Sequence, residues 1–137
     1  MRVFFDSSAL TKRYVDEAGS DEVDSVWMTA SDLGMSVLCY PEVVSALVRL
    51  RHEGRISDSR CSKAKKALGE DIAEAFVCDI TASVVATAVR VIESGPIRAA
   101  DALHIACALE WGADLFVSSD ARQVEGAKKA GLKVAVV

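Results

Sequence analysis

The chain has 137 residues, of which 51% are hydrophobic, and its formal net charge is −4 at pH 7. This length predicts one globular domain, residues 1–137, with a single buried core. No apolar run reaches the roughly 18 residues of a membrane helix. The apolar start of the chain ends at Asp6, too early for a signal peptide, so we expect a cytoplasmic protein without membrane contact.

The net charge does not exclude nucleic-acid binding, and the cysteines indicate no metal site. Net acidity disfavours nucleic-acid binding, but residues 49–66 carry seven Lys or Arg residues against two acids. This basic segment is consistent with either a solvated helix face or a track for a phosphate backbone. The four cysteines form no Cys-x-x-Cys pair, so we interpret them as buried reduced thiols.

In chain order, the first half of the sequence alternates short apolar segments with amphipathic ones. The predicted elements are a strand at 3–5, helices at 9–15 and 20–31, a strand at 35–39, and helices at 41–53 and 57–75. Ser7 and Ser8 are expected to cap the first helix, and Gly34 to end the connection before the second strand. Pro41 suits the first turn of a helix.

The second half continues the alternation. Its predicted elements are a strand at 76–80, helices at 81–94 and 99–111, a strand at 115–117, a helix at 120–130 and a strand at 134–137. Thr81 is the expected N-cap of the fifth helix, and Gly112 ends the sixth. Apolar strands that alternate with helices are typical of an α/β fold. We therefore predict a five-stranded parallel sheet flanked by helices on both faces.

Four acidic residues occupy related places in this pattern: Asp6, Glu42, Asp101 and Asp120. Asp6 directly follows the first strand, Asp120 follows the fourth, and the other two open helices. Because ligands bind beyond the carboxyl ends of parallel strands, we expect the four side chains to converge there. Carboxylates gathered without cations repel each other, so the pattern indicates a site for Mg²⁺ or Mn²⁺ and phosphate chemistry.

Each of the four acids also has a purely structural interpretation. Asp6 and Asp120 can cap the helices that follow them, with Gln123 at the third position behind Asp120. Glu42 and Asp101 can interact favourably with helix dipoles. Asp79 looks similar, but we interpret it as a turn residue.

Two stretches of the sequence carry a family resemblance. They are VFFDSSAL at 3–10 and the block that runs from RAADALHIA at 98–106 to GADLFVSSD at 112–120. Together with Glu42, they closely resemble PIN-domain ribonucleases, in particular the VapC-type toxins of bacterial and archaeal toxin–antitoxin pairs. The resemblance covers the whole chain in order and length.

The resemblance implies a single PIN-like domain that acts as a divalent-metal-dependent endoribonuclease. It implies that Asp6, Glu42, Asp101 and Asp120 are the catalytic and metal-binding acids, with Ser118 and Ser119 as auxiliary contacts. It also implies an RNA substrate, a small antitoxin partner and a homodimer. The chemistry is consistent with the residues, because Mg²⁺ or Mn²⁺ promotes attack by water on a phosphodiester bond.

Other interpretations remain open at this point. A phosphatase of the haloacid-dehalogenase type needs an acid two residues after Asp6, where Ser8 stands. A receiver domain needs paired acids at the first strand, and a non-catalytic PIN-like RNA- or protein-binding module would lack an acid. His104 is interpreted as a packed or carboxylate-bonded histidine, and Arg98 as a contact to either RNA phosphate or a nearby acid.

Overall fold

The computed structural model describes all 137 residues as one sheet surrounded by helices. The strands are β1 (Arg2–Phe5), β2 (Asp32–Ser36), β3 (Phe76–Cys78), β4 (Leu115–Ser118) and β5 (Val134–Val136). The helices are α1 (Ser7–Tyr14), α2 (Ser20–Thr29), α3 (Cys39–His52), α4 (Asp58–Glu74), α5 (Ala82–Glu93), α6 (Ala99–Trp111) and α7 (Ala121–Lys129). None of the helices is long and apolar enough to cross a bilayer.

All strand pairs are parallel, and the strand order is β3-β2-β1-β4-β5, which confirms the predicted fold class. Side chains of β1 alternate between two cores, because successive residues of a strand point to opposite faces. Val3 and Phe5 join the core that includes α1 to α4, whereas Phe4 joins the core that includes α5 to α7. The sheet is therefore covered on both sides.

The strand order places a crevice beyond the carboxyl ends of β1 and β4. From β1 the chain moves outward in one direction to β2 and β3, and then crosses to β4 and β5 on the other side. Such a reversal is the point where parallel α/β sheets bind ligands. Phe5 pairs with Val117 in the register, so Asp6 and Ser118 emerge side by side at this point.

The second strand lies earlier in the chain than its apolar pattern predicts. β2 spans Asp32–Ser36 rather than 35–39, so Gly34 lies inside the strand and does not precede it. A Cβ on Gly34 would lie 2.6 Å from Cζ3 of Trp111, so the ring occupies the space a side chain would need. The strand is also not fully apolar, since it begins with exposed Asp32 and ends with buried Ser36.

Two helices begin earlier than predicted. Asp6, rather than Ser7 or Ser8, is the N-cap of α1, and its carboxylate accepts a hydrogen bond from the Ala9 N–H. α3 begins at Cys39, which leaves Pro41 within the first turn, where a missing N–H is tolerated. Thr81 caps α5 and Gly112 ends α6, as predicted. The four cysteines are buried and unpaired, also as expected.

Candidate active site

A cleft of about 500 Å³ opens beyond the carboxyl ends of β1 and β4. All four acids expected from the sequence line it: Asp6, Glu42, Asp101 and Asp120. They reach it from different elements, because Asp6 follows β1, Asp120 follows β4, and the other two lie in the first turns of α3 and α6. The parallel topology thus gathers residues that are up to 114 positions apart in the sequence.

Asp6 is the deepest of the four and is 3% exposed. One carboxylate oxygen accepts hydrogen bonds from the Ala9 N–H and the Ser8 hydroxyl, and the other accepts one from Ser118 Oγ at 2.5 Å. Burial raises the pKa of Asp6 above its ordinary value, although these hydrogen bonds partly oppose the shift. An ionised Asp6 is therefore costly here unless a cation lies beside it.

Glu42 is held in place by a chain of polar side chains that leads into the protein. Its Oε1 accepts hydrogen bonds from Ser7 Oγ at 2.8 Å and from Nε2 of His104 at 2.5 Å. The other ring nitrogen of His104, Nδ1, lies 2.9 Å from the Ser36 hydroxyl. This chain fixes one oxygen of Glu42 and leaves Oε2 without a partner from the protein.

The pKa shifts of this pair have opposite directions. Hydrogen bonding to His104 lowers the pKa of Glu42 most strongly, and burial opposes it. Burial alone lowers the pKa of His104, but the adjacent Cys39 and Glu42 side chains raise it above its ordinary value. The contact between Nε2 and Oε1 makes His104 the carboxylate-bonded histidine that the sequence suggested.

Asp101 and Asp120 are also anchored through one oxygen. Oδ2 of Asp101 pairs with Nε of Arg98 at 3.2 Å, and Oδ1 of Asp120 caps α7 by accepting from the N–H groups of Arg122 and Gln123. The second oxygen of each carboxylate has no hydrogen bond from the protein. The capping interpretation of Asp120 is therefore correct, and it still leaves an oxygen free for another ligand.

The cleft is not free of cations, contrary to the arrangement expected from the sequence. Arg98 and His104 lie among the acids, and Arg49 and Arg55 of the basic segment line the cleft as well. Lys63, Lys65 and Lys66 are exposed on α4 and do not line it. The basic segment thus contributes two arginines to the cleft, while its lysines lie elsewhere on the surface.

The donor set of the cleft is suited to a hard divalent cation. No three His, Cys, Asp or Glu side chains are arranged to enclose a metal ion. Mg²⁺, however, keeps several waters and is usually bound through one or two carboxylates rather than by a protein cage. The free oxygens of Glu42, Asp101 and Asp120, together with the desolvated Asp6, fit that mode of binding.

Several supporting residues could not be identified from the sequence pattern. Ser7 donates a hydrogen bond to Glu42, and Ser36 contacts the ring of His104. Ser118 donates a hydrogen bond to Asp6. The only signal for Ser36 was a polar residue at the end of an apolar strand, whereas the family resemblance had already implied Ser118 as an auxiliary contact. Ser119 lines the cleft, and its N–H donates to the Ser8 hydroxyl.

Similarity to known proteins extends over most of the chain. A family model described as "PIN domain" matches residues 3–129. "Ribonuclease VapC45" of Mycobacterium tuberculosis is 32% identical over 135 residues, covering 97% of this chain and 94% of the relative. "Ribonuclease VapC49" from another strain of the same species shows the same identity and coverage.

Solved structures with low sequence identity share the fold. VapC20 of Mycobacterium tuberculosis, described as a sarcin-ricin loop cleaving toxin, has a TM-score of 0.71 at 17% identity, with 95% of each chain covered. VapBC2 of Rickettsia felis, solved with a DNA fragment from its promoter, has a TM-score of 0.69 at 10% identity, with 100% of this chain and 99% of that chain covered. The matched family model and the relatives of equal length show that this chain belongs to the PIN domain family.

Proposed function

We propose that the chain is a divalent-metal-dependent endoribonuclease that hydrolyses RNA phosphodiester bonds as the toxin of a VapBC-type pair. The observation that carries the proposal is the convergence of Asp6, Glu42, Asp101 and Asp120 on one cleft at the switch point of the sheet. Two relatives that match over 94% of their length are named ribonucleases, which supports the choice of RNA.

The four acids have distinct roles in this proposal. Asp6 and Asp101 would hold the metal directly, and Glu42 and Asp120 would hold it directly or through water and would orient the attacking water. When bound, Mg²⁺ or Mn²⁺ lowers the pKa of water and neutralises charge that develops on the phosphate. The carboxylate of Glu42 is already oriented for this role, because Ser7 and His104 bind one of its oxygens and leave the other free.

Cleavage of a 5′-labelled single-stranded RNA tests the proposed function. We expect cleavage with Mg²⁺ or Mn²⁺ and none in EDTA, with products that lack 2′,3′-cyclic phosphate because water is the nucleophile. Single-stranded DNA of the same sequence serves as the control for the choice of RNA. Equal cleavage in EDTA, or cyclic phosphate ends, would contradict the proposed chemistry.

The same assay separates the alternatives. A non-catalytic PIN-like module would bind the RNA without cutting it under any metal condition. A magnesium-dependent phosphatase would hydrolyse p-nitrophenyl phosphate and leave the RNA intact. The structure gives little support to the phosphatase, since Ser8 donates a hydrogen bond to Asp6 at the place where that class needs a second carboxylate.

His104→Gln is expected to leave RNA cleavage within about tenfold of the wild type, because we assign His104 no proton transfer. Its side chain is 3% exposed and lies behind Glu42, and a Gln amide can still donate a hydrogen bond to that carboxylate. The measurement is kcat/KM at saturating Mg²⁺, with a thermal melt to confirm folding. A much larger loss in a folded variant would identify His104 as a general acid or base.

The proposal includes two protein partners and a location in the cytoplasm. A small antitoxin is supported by solved neighbours described as toxin–antitoxin complexes, including one from Klebsiella pneumoniae. The resemblance also implies a homodimer, and α5 offers a surface for it. Val85, Val89 and Ile92 recur there at helical spacing, and each is about 40% exposed or more.

A further inference from the structure

A second groove of about 1000 Å³ lies next to the catalytic cleft, outside the site described so far. It runs between the C-terminal half of α5, the loop at 94–98 and α7. We call it the distal groove. Its charged lining consists of Arg90, Arg98, Arg122, Lys129, Glu110 and Glu125.

The positive charges of the distal groove are poorly compensated. Arg90, Arg122 and Lys129 are exposed, and none has a carboxylate within 4.0 Å, whereas Arg98 pairs with Asp101. Glu110 is occupied by hydrogen bonds from the hydroxyls of Ser83 and Thr87. Those bonds leave Glu110 charged, so the lining has four cations against two acids, Glu110 and Glu125, and is positive on balance.

The groove adjoins the catalytic cleft, and the two cavities share one lining residue. Arg98 lines both cavities, and Arg122 in the groove follows Asp120 in the cleft by two residues. A strand that leaves the cleft over Arg98 would come near the cations on α7. The shared wall at Arg98 favours a ligand that the cleft itself would accept.

The walls of the groove are held close together by packing. A Cβ on Gly126 of α7 would lie 2.7 Å from Cδ1 of Ile97, so the loop rests directly on the helix at this glycine. Similarly, a Cβ on Gly95 would lie 3.3 Å from Nζ of Lys129. These contacts fix the spacing between the loop and the cations of α7.

The lining of the groove contains no Phe, Tyr or Trp. Single-stranded nucleic acid is bound by cations along its backbone and by aromatic rings under its bases, and only the first is available here. The groove can therefore contact phosphates but offers no stacking platform for bases. An acidic peptide would meet the same cations, but it would give no reason for the groove to share Arg98 with the cleft.

We propose that the distal groove binds the RNA that flanks the scissile bond, by contacts between its phosphates and Arg90, Arg122 and Lys129. This inference rests on the proposed nuclease function. It assigns α7 a second role, because its N-terminus carries Asp120 at the cleft while its exposed side carries the phosphate contacts. The binding is independent of base sequence.

The test is a matched pair of charge reversals. The groove variant is Arg122→Glu with Lys129→Glu, and the control is Lys128→Glu with Lys133→Glu, which changes net charge equally at exposed positions outside the groove. Fluorescence anisotropy in EDTA measures the affinity for labelled RNAs of about 4 and about 16 nucleotides, which bracket typical site sizes.

The groove variant should bind the long RNA at least about tenfold more weakly, and its slope of log K against log salt should flatten by about 1.4, or 0.7 for each lost phosphate contact. The control should bind the long RNA with nearly the affinity and salt dependence of the wild type. All three proteins should bind the short RNA with similar affinity. Equal effects in both variants, or unchanged binding of the long RNA, would overturn the proposal.

A labelled polyglutamate peptide completes the experiment. If the groove variant loses binding to this peptide but not to the RNA, the groove is a peptide site and the proposal is wrong. Because binding is measured in EDTA, the result does not depend on cleavage. A chain that binds long RNA through the groove but never cuts it would refute the nuclease function alone.

Discussion

Asp101→Asn is expected to lower metal-dependent RNA cleavage by at least about 10²-fold while the fold remains intact, because it removes a charge that acts in the transition state. Asp101 lies in the first turn of α6, and its side chain is 19% exposed. One of its oxygens is paired with Arg98, so the free oxygen is the one available to the metal. Asn keeps the size of the side chain but supplies no negative charge.

Asp79→Asn is the matched control for this variant. Asp79 also follows a strand and precedes a helix, but it is exposed and lies outside the cleft, so its cleavage rate should equal that of the wild type. Single-turnover rates at saturating Mg²⁺ measure the chemical step, and circular dichroism checks the fold. If Asp101→Asn cleaves RNA at nearly the wild-type rate, Asp101 does not belong to the site.

Local signals in the sequence predicted some elements well and others poorly. The boundaries of α6 agree with the prediction, because an apolar periodic segment ends at Gly112, which adopts a φ of 76°. The predicted start of β2 was too late, because a glycine at position 34 usually indicates a turn. Here Gly34 lies inside the strand, and the ring of Trp111 occupies the space beside it. That contact joins residues that are far apart in the chain, and periodicity carries no information about it.

The convergence of the acids was predictable for a different reason. A parallel sheet places the carboxyl ends of its strands on one edge, so Asp6 and Asp120 could be brought together without any knowledge of side-chain contacts. The family resemblance implied an auxiliary role for Ser118, but the particular hydrogen bonds that support the site could not be predicted. Ser118 reaches Asp6 across 112 positions of the sequence, and Ser36 reaches His104 across 68.

Asp6→Asn is expected to raise the melting temperature of the metal-free protein at neutral pH. Burial raises the pKa of Asp6, so the ionised carboxylate destabilises the folded state above that raised value. This cost is relieved as the pH falls through the folded-state pKa towards the ordinary one, because the folded protein then binds a proton that the unfolded chain does not. Asn carries no charge and removes the cost at neutral pH.

The same substitution is expected to weaken the response to metal. Mn²⁺ at a hundredfold excess over Kd should stabilise the wild type by about 2.7 kcal/mol, which corresponds to roughly 10 °C for a chain of this size. Asp6→Asn should show a smaller rise, because one of the carboxylates is gone. The two effects are opposite in sign, so a general loss of stability cannot produce both.

Thermal melts in EDTA and in Mn²⁺ distinguish the metal site from a role limited to helix capping. The cost of burying Asp6 exists with or without a metal site, so a buried cap that binds no metal predicts no response to Mn²⁺ in either protein. A shared metal site predicts a larger Mn²⁺ response for the wild type than for the variant. If neither protein responds to Mn²⁺, Asp6 is only a buried cap and the proposed nuclease chemistry loses its metal.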